Sequence, residues 1–531
     1  MSDEHNHECL SFGDALFLYL EREGMPLNVA TVAQFEGEIT LAECIAFVAS
    51  KLPLLPRYRQ RVVMSPYNVG LPCWEYDPDF NLRNHIREIT LRRGTETDLK
   101  AQASQILSAT MDRSRPLWDF TLVHGLKKNG TALIVRVHHC LADGISGVGM
   151  LATLMDTTPE VRPPTAAKKF RVPKPTDAGG RLLDGVVTSC FSALQRFLTA
   201  QAEILDFAQQ AARSIGTPSE QANDAHSGLG PQPSVPLEEL TRLVPEFASP
   251  AERMPFNVVC RGPQKFDWAG ISLPEIKVVK RKYGATVNDV FLTLISAAIR
   301  RYAEIHRHNT GGKLLRVIVP VSIRGRDNLT ELGNRITFLP VTIPFTNSPK
   351  RLIAAVRERT TFLKGSKIAD LVGFFGTVLG AIPTSIQAVL GPIASALPIP
   401  AGNVICTQVP GPREPLYLLG HRLLSCYPYV PLGGEFGMNV AVLTYNDIAH
   451  FGFSGDVHAI PDLHLLPKLL VESFEELKKA SGLQRRRTRA VAEQPEMHVA
   501  DTAVEMAPKV EERKRPEKFP VSKAAAAAAG D

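Results

Sequence analysis

None of the eight cysteines, at positions 9, 44, 73, 140, 190, 260, 406 and 426, is paired at C-x-x-C spacing. A zinc ribbon or a thioredoxin-type redox site is therefore not expected. The N-terminal MSDEHNHECL lacks the basic stretch and apolar run of a secretory signal. Reduced thiols in a cytoplasmic compartment are the expectation. Charge of one sign is also scarce. Sixty Lys and Arg against 54 Asp and Glu leave a net +6 over 531 residues, which argues against a nucleic-acid binder. G-x-S-x-G is missing, since GISGV at 144–148 ends on Val148. H-E-x-x-H and a strand-to-helix G-x-G-x-x-G are missing too. The Walker-like glycines Gly125 and Gly130 are followed by Thr131 and Ala132 instead of Lys and Ser or Thr. Serine hydrolase, zincin, P-loop and dinucleotide readings lose their support.

A long uninterrupted apolar run is likewise absent. From Leu371 to Pro412 no residue is charged, but Gly373, Gly376, Gly380, Pro383, Gly391, Pro392, Pro398 and Pro400 break the stretch. A spanning helix needs about 20 continuous apolar residues, and prolines leave backbone groups unpaired in lipid. Two short apolar helices, near 369–382 and 384–397, fit better. They read as a buried pair; the other reading is a greasy, membrane-facing lip.

What is present is a globular composition, 44% hydrophobic and 21% charged. At roughly 100–200 residues per domain the length accommodates two to four folding units. Residues 1–9 read as a flexible N-terminus. Residues 10–156 read as a mixed α/β unit, with helices over 14–21, 41–51, 97–111 and 145–155 and strands over 29–35, 120–123 and 132–137. The Pro- and base-rich 157–178 and the Gly/Pro-rich 216–235 read as linker around an amphipathic helix near 181–215. A second α/β unit is expected over 236–483, with helices over 287–302, 352–363 and 461–479. Its strands are expected over 314–321, 337–343, 404–408, 438–444 and 450–454. The tail 484–531 has a basic run, mixed charges and six alanines, and reads as disordered.

The chemistry-bearing stretch is VRVHHCLADGISG at 135–147. Neighbouring side chains in a strand point to opposite faces, so His138 and His139 are not expected to act together, and one metal ion would have trouble reaching both rings. Read structurally, the two histidines are satisfied by hydrogen bonds and Asp143 caps the helix from Ile145.

HHCLADG resembles the HHxxxDG signature of the wax ester synthase/diacylglycerol acyltransferase family, part of the CoA-dependent acyltransferase superfamily with chloramphenicol acetyltransferase and condensation domains. LSFGDALFLYLE at 10–21, Pro116-Leu117-Trp118, Asn288-Asp289, VPVSIR at 319–324, Gly333-Asn334-Arg335, and VPGP at 409–412 with Leu416 and Gly420 match further family blocks in order. One departure is Thr407-Gln408, where the family has Ser-Asn. The resemblance implies an α/β (α+β) fold of two chloramphenicol-acetyltransferase-like halves with an active-site tunnel between them.

The activity it implies is transfer of a fatty acyl group from acyl-CoA, a substrate and not a cofactor, to diacylglycerol or a long-chain alcohol. It implies no resident cofactor or metal and no acyl-enzyme. His139 is the implied general base, His138 a supporting residue, Asp143 a structural residue paired with an arginine, and Gly144 the turn. Pro116, Leu117 and Trp118 are candidate channel residues, with core packing as their other reading. Asn288 is a candidate oxyanion donor beside Asp289, or else a helix-start residue. A cytoplasmic enzyme held peripherally at a membrane or lipid droplet is expected. Competing readings are a related CoA- or carrier-dependent acyltransferase with another alcohol acceptor, and a non-catalytic lipid-binding protein of the same fold.

Overall fold

Five helix starts among the described residues follow one local rule. The structure is a computed structural model that describes residues 8–65, 70–127, 130–141, 153–160, 251–322, 336–365 and 402–483. Helix α1 (Phe12–Leu20) is capped by Ser11, α2 (Leu41–Lys51) by Thr40 and α3 (Glu96–Leu107) by Thr95. Helix α4 (Leu273–Tyr283) is capped by Ser272 and α5 (Val287–Ile305) by Thr286. In each case the hydroxyl oxygen accepts the N–H of an acidic residue three positions on, filling one donor that a helix start leaves open. In α2, α3 and α5 the acid also reaches back to the cap N–H. Helices α6 (Pro349–Gly365) and α7 (Leu465–Ala480) follow later in the chain.

The first sheet contains β1 (Asn28–Phe35), β4 (Ile86–Thr90), β5 (Trp118–His124), β6 (Thr131–His138), β11 (Tyr417–Leu418) and β12 (His421–Tyr429). Its order is β11-β12-β1-β6-β5-β4. Strands β2 (Gln60–Val63) and β3 (Cys73–Tyr76) form a separate ribbon. The second sheet contains β7 (Gln264–Ser272), β8 (Leu314–Ser322), β9 (Ile336–Pro344), β10 (Val404–Pro410), β13 (Met438–Tyr445) and β14 (Ile448–Asp456). Its order is β7-β14-β13-β10-β8-β9.

Strand β6 is buried along its whole length. Leu133, Val135 and Val137 join a core under α1 and α2, while Ala132 and Ile134 join another under α3. A strand covered on both faces reads as one apolar run, which TALIVRVH does. On the second sheet, α4, α5, α6 and α7 build a core around Val290, Phe291, Leu294, Ile295 and Tyr302.

The exposed edge of that sheet, β7, is closed by α3. Ser108 Oγ accepts the N–H of Gln264 at 2.8 Å and Ser104 Oγ that of Phe266 at 2.9 Å. Lys100 Nζ donates to the Trp268 carbonyl at 3.4 Å. Four helical residues advance about 6 Å and two strand residues about 6.8 Å, so a polar stripe at i, i+4, i+8 matches alternate residues of an antiparallel strand edge. An edge paired in this way offers no template to another chain.

Several expectations are corrected. The boundary drawn at 157–235 divides the chain but not the sheets, because β11 and β12 from the second segment complete the first sheet. Strand β12 pairs antiparallel with β1, from Ala30↔Tyr429 to Phe35↔Leu423. Of the expected flexible stretch 1–9, residues 1–7 lie outside the described residues, while the Glu8 carbonyl accepts the Trp74 N–H at 2.9 Å and Cys9 is joined by a disulfide to Cys73. The all-thiol reading therefore fails for that pair; Cys44, Cys140, Cys260, Cys406 and Cys426 are buried thiols. The expected helices near 181–215, 369–382 and 384–397, the linker 216–235 and the tail 484–531 lie outside the described residues. Among the described residues no helix is long and apolar enough to cross a membrane.

The two sheets meet at an aromatic contact around His450 of β14. Its ring lies 5.0 Å from that of Tyr427 and 6.3 Å from that of Tyr445, and the residue is 1% exposed. Burial lowers its pKa to about 4, against a smaller opposing effect of the Tyr445 backbone. The folded protein therefore resists a proton that the unfolded chain takes up near pH 6.5. Stability present above pH 6.5 is lost as pH falls toward 4, by about 3 kcal/mol from this group. Denaturant midpoints measured between pH 7 and 4.5 are expected to fall more steeply for wild type than for His450→Phe.

Candidate active site

Strand β6 ends at the histidine pair. The N–H of His138 donates to the Leu117 carbonyl on the β5 side at 3.0 Å, and that of His139 to the Leu27 carbonyl on the β1 side at 2.9 Å. Successive N–H groups of extended backbone point to opposite neighbours, so His139 is held by strand geometry although the ladder ends one residue earlier. The chain then turns, with the Leu141 N–H donating to the His138 carbonyl at 2.9 Å.

The rings differ in environment. His138 is fully buried. Its Nδ1 accepts the Cys140 N–H at 3.2 Å, which leaves the ring proton on Nε2. That Nε2 stands 3.4 Å from Oε1 of Glu21, the residue that ends α1. Glu21 also accepts the Leu27 N–H at 3.0 Å and Arg113 Nη2 at 2.9 Å, and Arg113 donates to the Leu18 carbonyl at 2.9 Å. Burial by itself would raise the Glu21 pKa. The contact with His138, helped by Arg113 and the Leu27 N–H, outweighs it and holds the carboxyl at about 2. His139 is half-buried and lies on the ring of Phe17, with centroids 3.8 Å apart and planes within 9°. One helix thus holds both imidazoles, through residues one turn apart. An imidazole placed this way can accept a proton, and the aromatic face beneath it favours the resulting cation.

The other expected site residues have other duties. Pro116, Leu117 and Trp118 are buried. The Leu117 carbonyl supports His138, while Trp118 Nε1 donates to the Tyr58 carbonyl at 2.7 Å and its ring stacks on His85 at 4.5 Å. Leu117 and Trp118 pack in the first core. Asn288 is exposed on the first turn of α5. Asp289 is buried, closes the capping box with Thr286, and accepts from Thr360 Oγ1 of α6 at 2.7 Å. Asp143 and Gly144 lie outside the described residues. Among the described residues no cluster of three or more His, Cys, Asp or Glu is placed to hold a metal ion. A groove of about 910 Å³ between α3, β7 and α7 does not include His139.

Sequence reasoning missed Phe17, Glu21, Leu27 and Arg113. The signal for Glu21 was local. A carboxylate at a helix C-terminus opposes the helix dipole, so its place at the end of DALFLYLE is a local mismatch that a tertiary partner would offset.

Residues 10–291 match the wax ester synthase/diacylglycerol acyltransferase catalytic domain, and residues 332–478 match the WS/DGAT C-terminal domain. A Mycobacterium tuberculosis protein named as a probable diacylglycerol O-acyltransferase is 27% identical over 469 residues, covering 87% of this chain and 94% of its own. The solved wax ester synthase/diacylglycerol acyltransferase of Marinobacter aquaeolei VT8 superposes with a TM-score of 0.60 at 23% identity, covering 90% of this chain and all of that one. The first condensation domain of the calcium-dependent antibiotic synthetase gives 0.54 at 15% identity, over 90% of this chain and 97% of that domain. Both structures share this fold of two sheet-bearing halves.

The Asn288-Asp289 pair separates into a surface residue and a structural one. Asp289→Ala is expected to destabilise by about 1–3 kcal/mol, from the lost cap and the lost buried bond to Thr360. Asn288→Ala should stay within about 0.5 kcal/mol. Urea unfolding of both variants checks this.

Proposed function

We propose, from the premise that the chain belongs to the wax ester synthase/diacylglycerol acyltransferase family, that His139 is the general base of its reaction. The protein is an acyltransferase enzyme that moves an acyl group to the hydroxyl of diacylglycerol or a long-chain alcohol. The donor is acyl-CoA.

A neutral alcohol is a poor nucleophile at neutral pH and needs a base whose pKa lies near that of the medium; imidazole supplies one near 6.5. His139 takes the hydroxyl proton as the alcohol oxygen attacks the thioester carbonyl. The tetrahedral intermediate collapses, the C–S bond breaks, and the imidazolium returns its proton to the CoA sulfur. The ester and free CoA leave, with no acyl-enzyme. Phe17 stabilises the transient imidazolium through its ring face, an effect of about 0.5–2 kcal/mol. A tunnel between the halves would deliver both greasy substrates, and the protein would work at a membrane or droplet surface. The observation that carries the reading is His139 itself: half-buried, pinned through its backbone and stacked on one face.

The test is incubation with palmitoyl-CoA and either hexadecanol or diacylglycerol presented in vesicles, with lipid products and free CoA measured together. Ester formation is expected with one or both acceptors, and the protein should float with the vesicles. His139→Ala should lose about 10²–10⁴ in kcat. Unchanged turnover in that variant removes His139 from the reaction. Phe17→Leu, which keeps the packing and loses the ring face, should lose about 2- to 30-fold.

A further inference from the structure

We infer that Glu21 is a positioning residue for the acyl transfer, holding His139 in place through His138 and Leu27. The inference rests on the reading of His139 as base.

Two hydrogen bonds, from the Leu27 N–H and from Arg113 Nη2, hold one buried carboxylate, and His138 Nε2 faces it at 3.4 Å as a third donor group. Its side chain is only 4% exposed. Ionised Glu is an acceptor on both oxygens, so it can meet all three. Gln would turn an NH₂ group toward one or more of those donors, and Asp would be one methylene short. Burying a charge at the unfavourable end of a helix costs free energy unless it is fully paired. The site therefore calls for a carboxylate at this position in particular.

The consequence reaches His139 from two sides. Leu27 is held at its N–H by Glu21, and its carbonyl receives the His139 N–H. His138 is clamped between Glu21 at Nε2 and the Cys140 N–H at Nδ1. That second bond fixes the peptide on the far side of His139. The base is thus flanked by two groups whose orientation depends on the same carboxylate. Its ring needs such support because a misplacement of about 1 Å can cost about 100-fold in rate.

The experiment compares wild type, Glu21→Gln and Glu21→Ala, with Gln as the near-isosteric variant in case Ala does not fold. Kinetics with palmitoyl-CoA and diacylglycerol are read beside long-range ¹H–¹⁵N spectra of histidine-labelled protein, with His138 assigned by its loss in His138→Gln. Wild type should show His138 protonated on Nε2. In Glu21→Gln that tautomer should lose its dominance, and kcat should fall about 10- to 100-fold with KM for palmitoyl-CoA unchanged. The double variant Glu21→Gln/His138→Gln should lose less than the product of the two single losses, since the residues act as one unit. A wild-type His138 protonated on Nδ1, a Glu21→Gln kcat within about twofold of wild type, or strictly multiplicative losses would each overturn the inference. Retained turnover in His139→Ala is a different failure. It removes the premise, while the His138 spectrum reports on Glu21 independently of activity.

Discussion

The hydrogen bond from the His139 N–H to the Leu27 carbonyl joins the end of one strand to the approach of its neighbour, and the rest of the site follows from it. It extends the β1–β6 pairing, which begins at Asn28↔His138, by one residue. That extra step carries the imidazole past the end of the ladder, where one face meets Phe17 and the residue is only half-buried. Helix α1, capped by Ser11 at one end and closed by Glu21 at the other, lies where both rings need it. The arrangement is rigid because each member is held through backbone groups as well as side chains.

The stretches that resemble a family signature divide between chemistry and folding. HHCLADG carries His139, the residue proposed as the base. In Pro116-Leu117-Trp118, by contrast, one carbonyl supports His138 and the indole packs on His85. Asn288-Asp289 is half surface and half helix cap, with Asp289 also tying α6 to α5.

The two sheets are coupled by exchange as well as by packing. Strand β12 crosses into the first sheet, α3 seals the edge of β7, and Arg22 Nη2 donates to the Cys260 carbonyl at 2.9 Å. Gly24, at φ 74°, rests on the carbonyl of Arg261 with no room for a Cβ. Each link draws on residues far apart in the chain. The histidine pair therefore sits on a first sheet that the second segment completes.

The amino-acid sequence by itself determined the elements whose signal is local. The α2 span, the β5–β6 hairpin, the long α5 and the later strands β8, β9, β13 and β14 are legible from periodicity and turn residues, and HHCLADG singles out the histidine pair. Strand β7, helix α4 and strand β12 were not legible. HRLLSCYPY contains a proline and has no clean alternation, and it becomes a strand only because β1 offers it a partner. Glu21 was likewise visible as a residue but not as a part of the site. Its role arises when a residue near the start of the chain meets donors from Leu27, Arg113 and His138. Spacing along a sequence encodes which face a side chain takes; only the folded chain decides which distant groups converge on it, because that meeting depends on long-range packing.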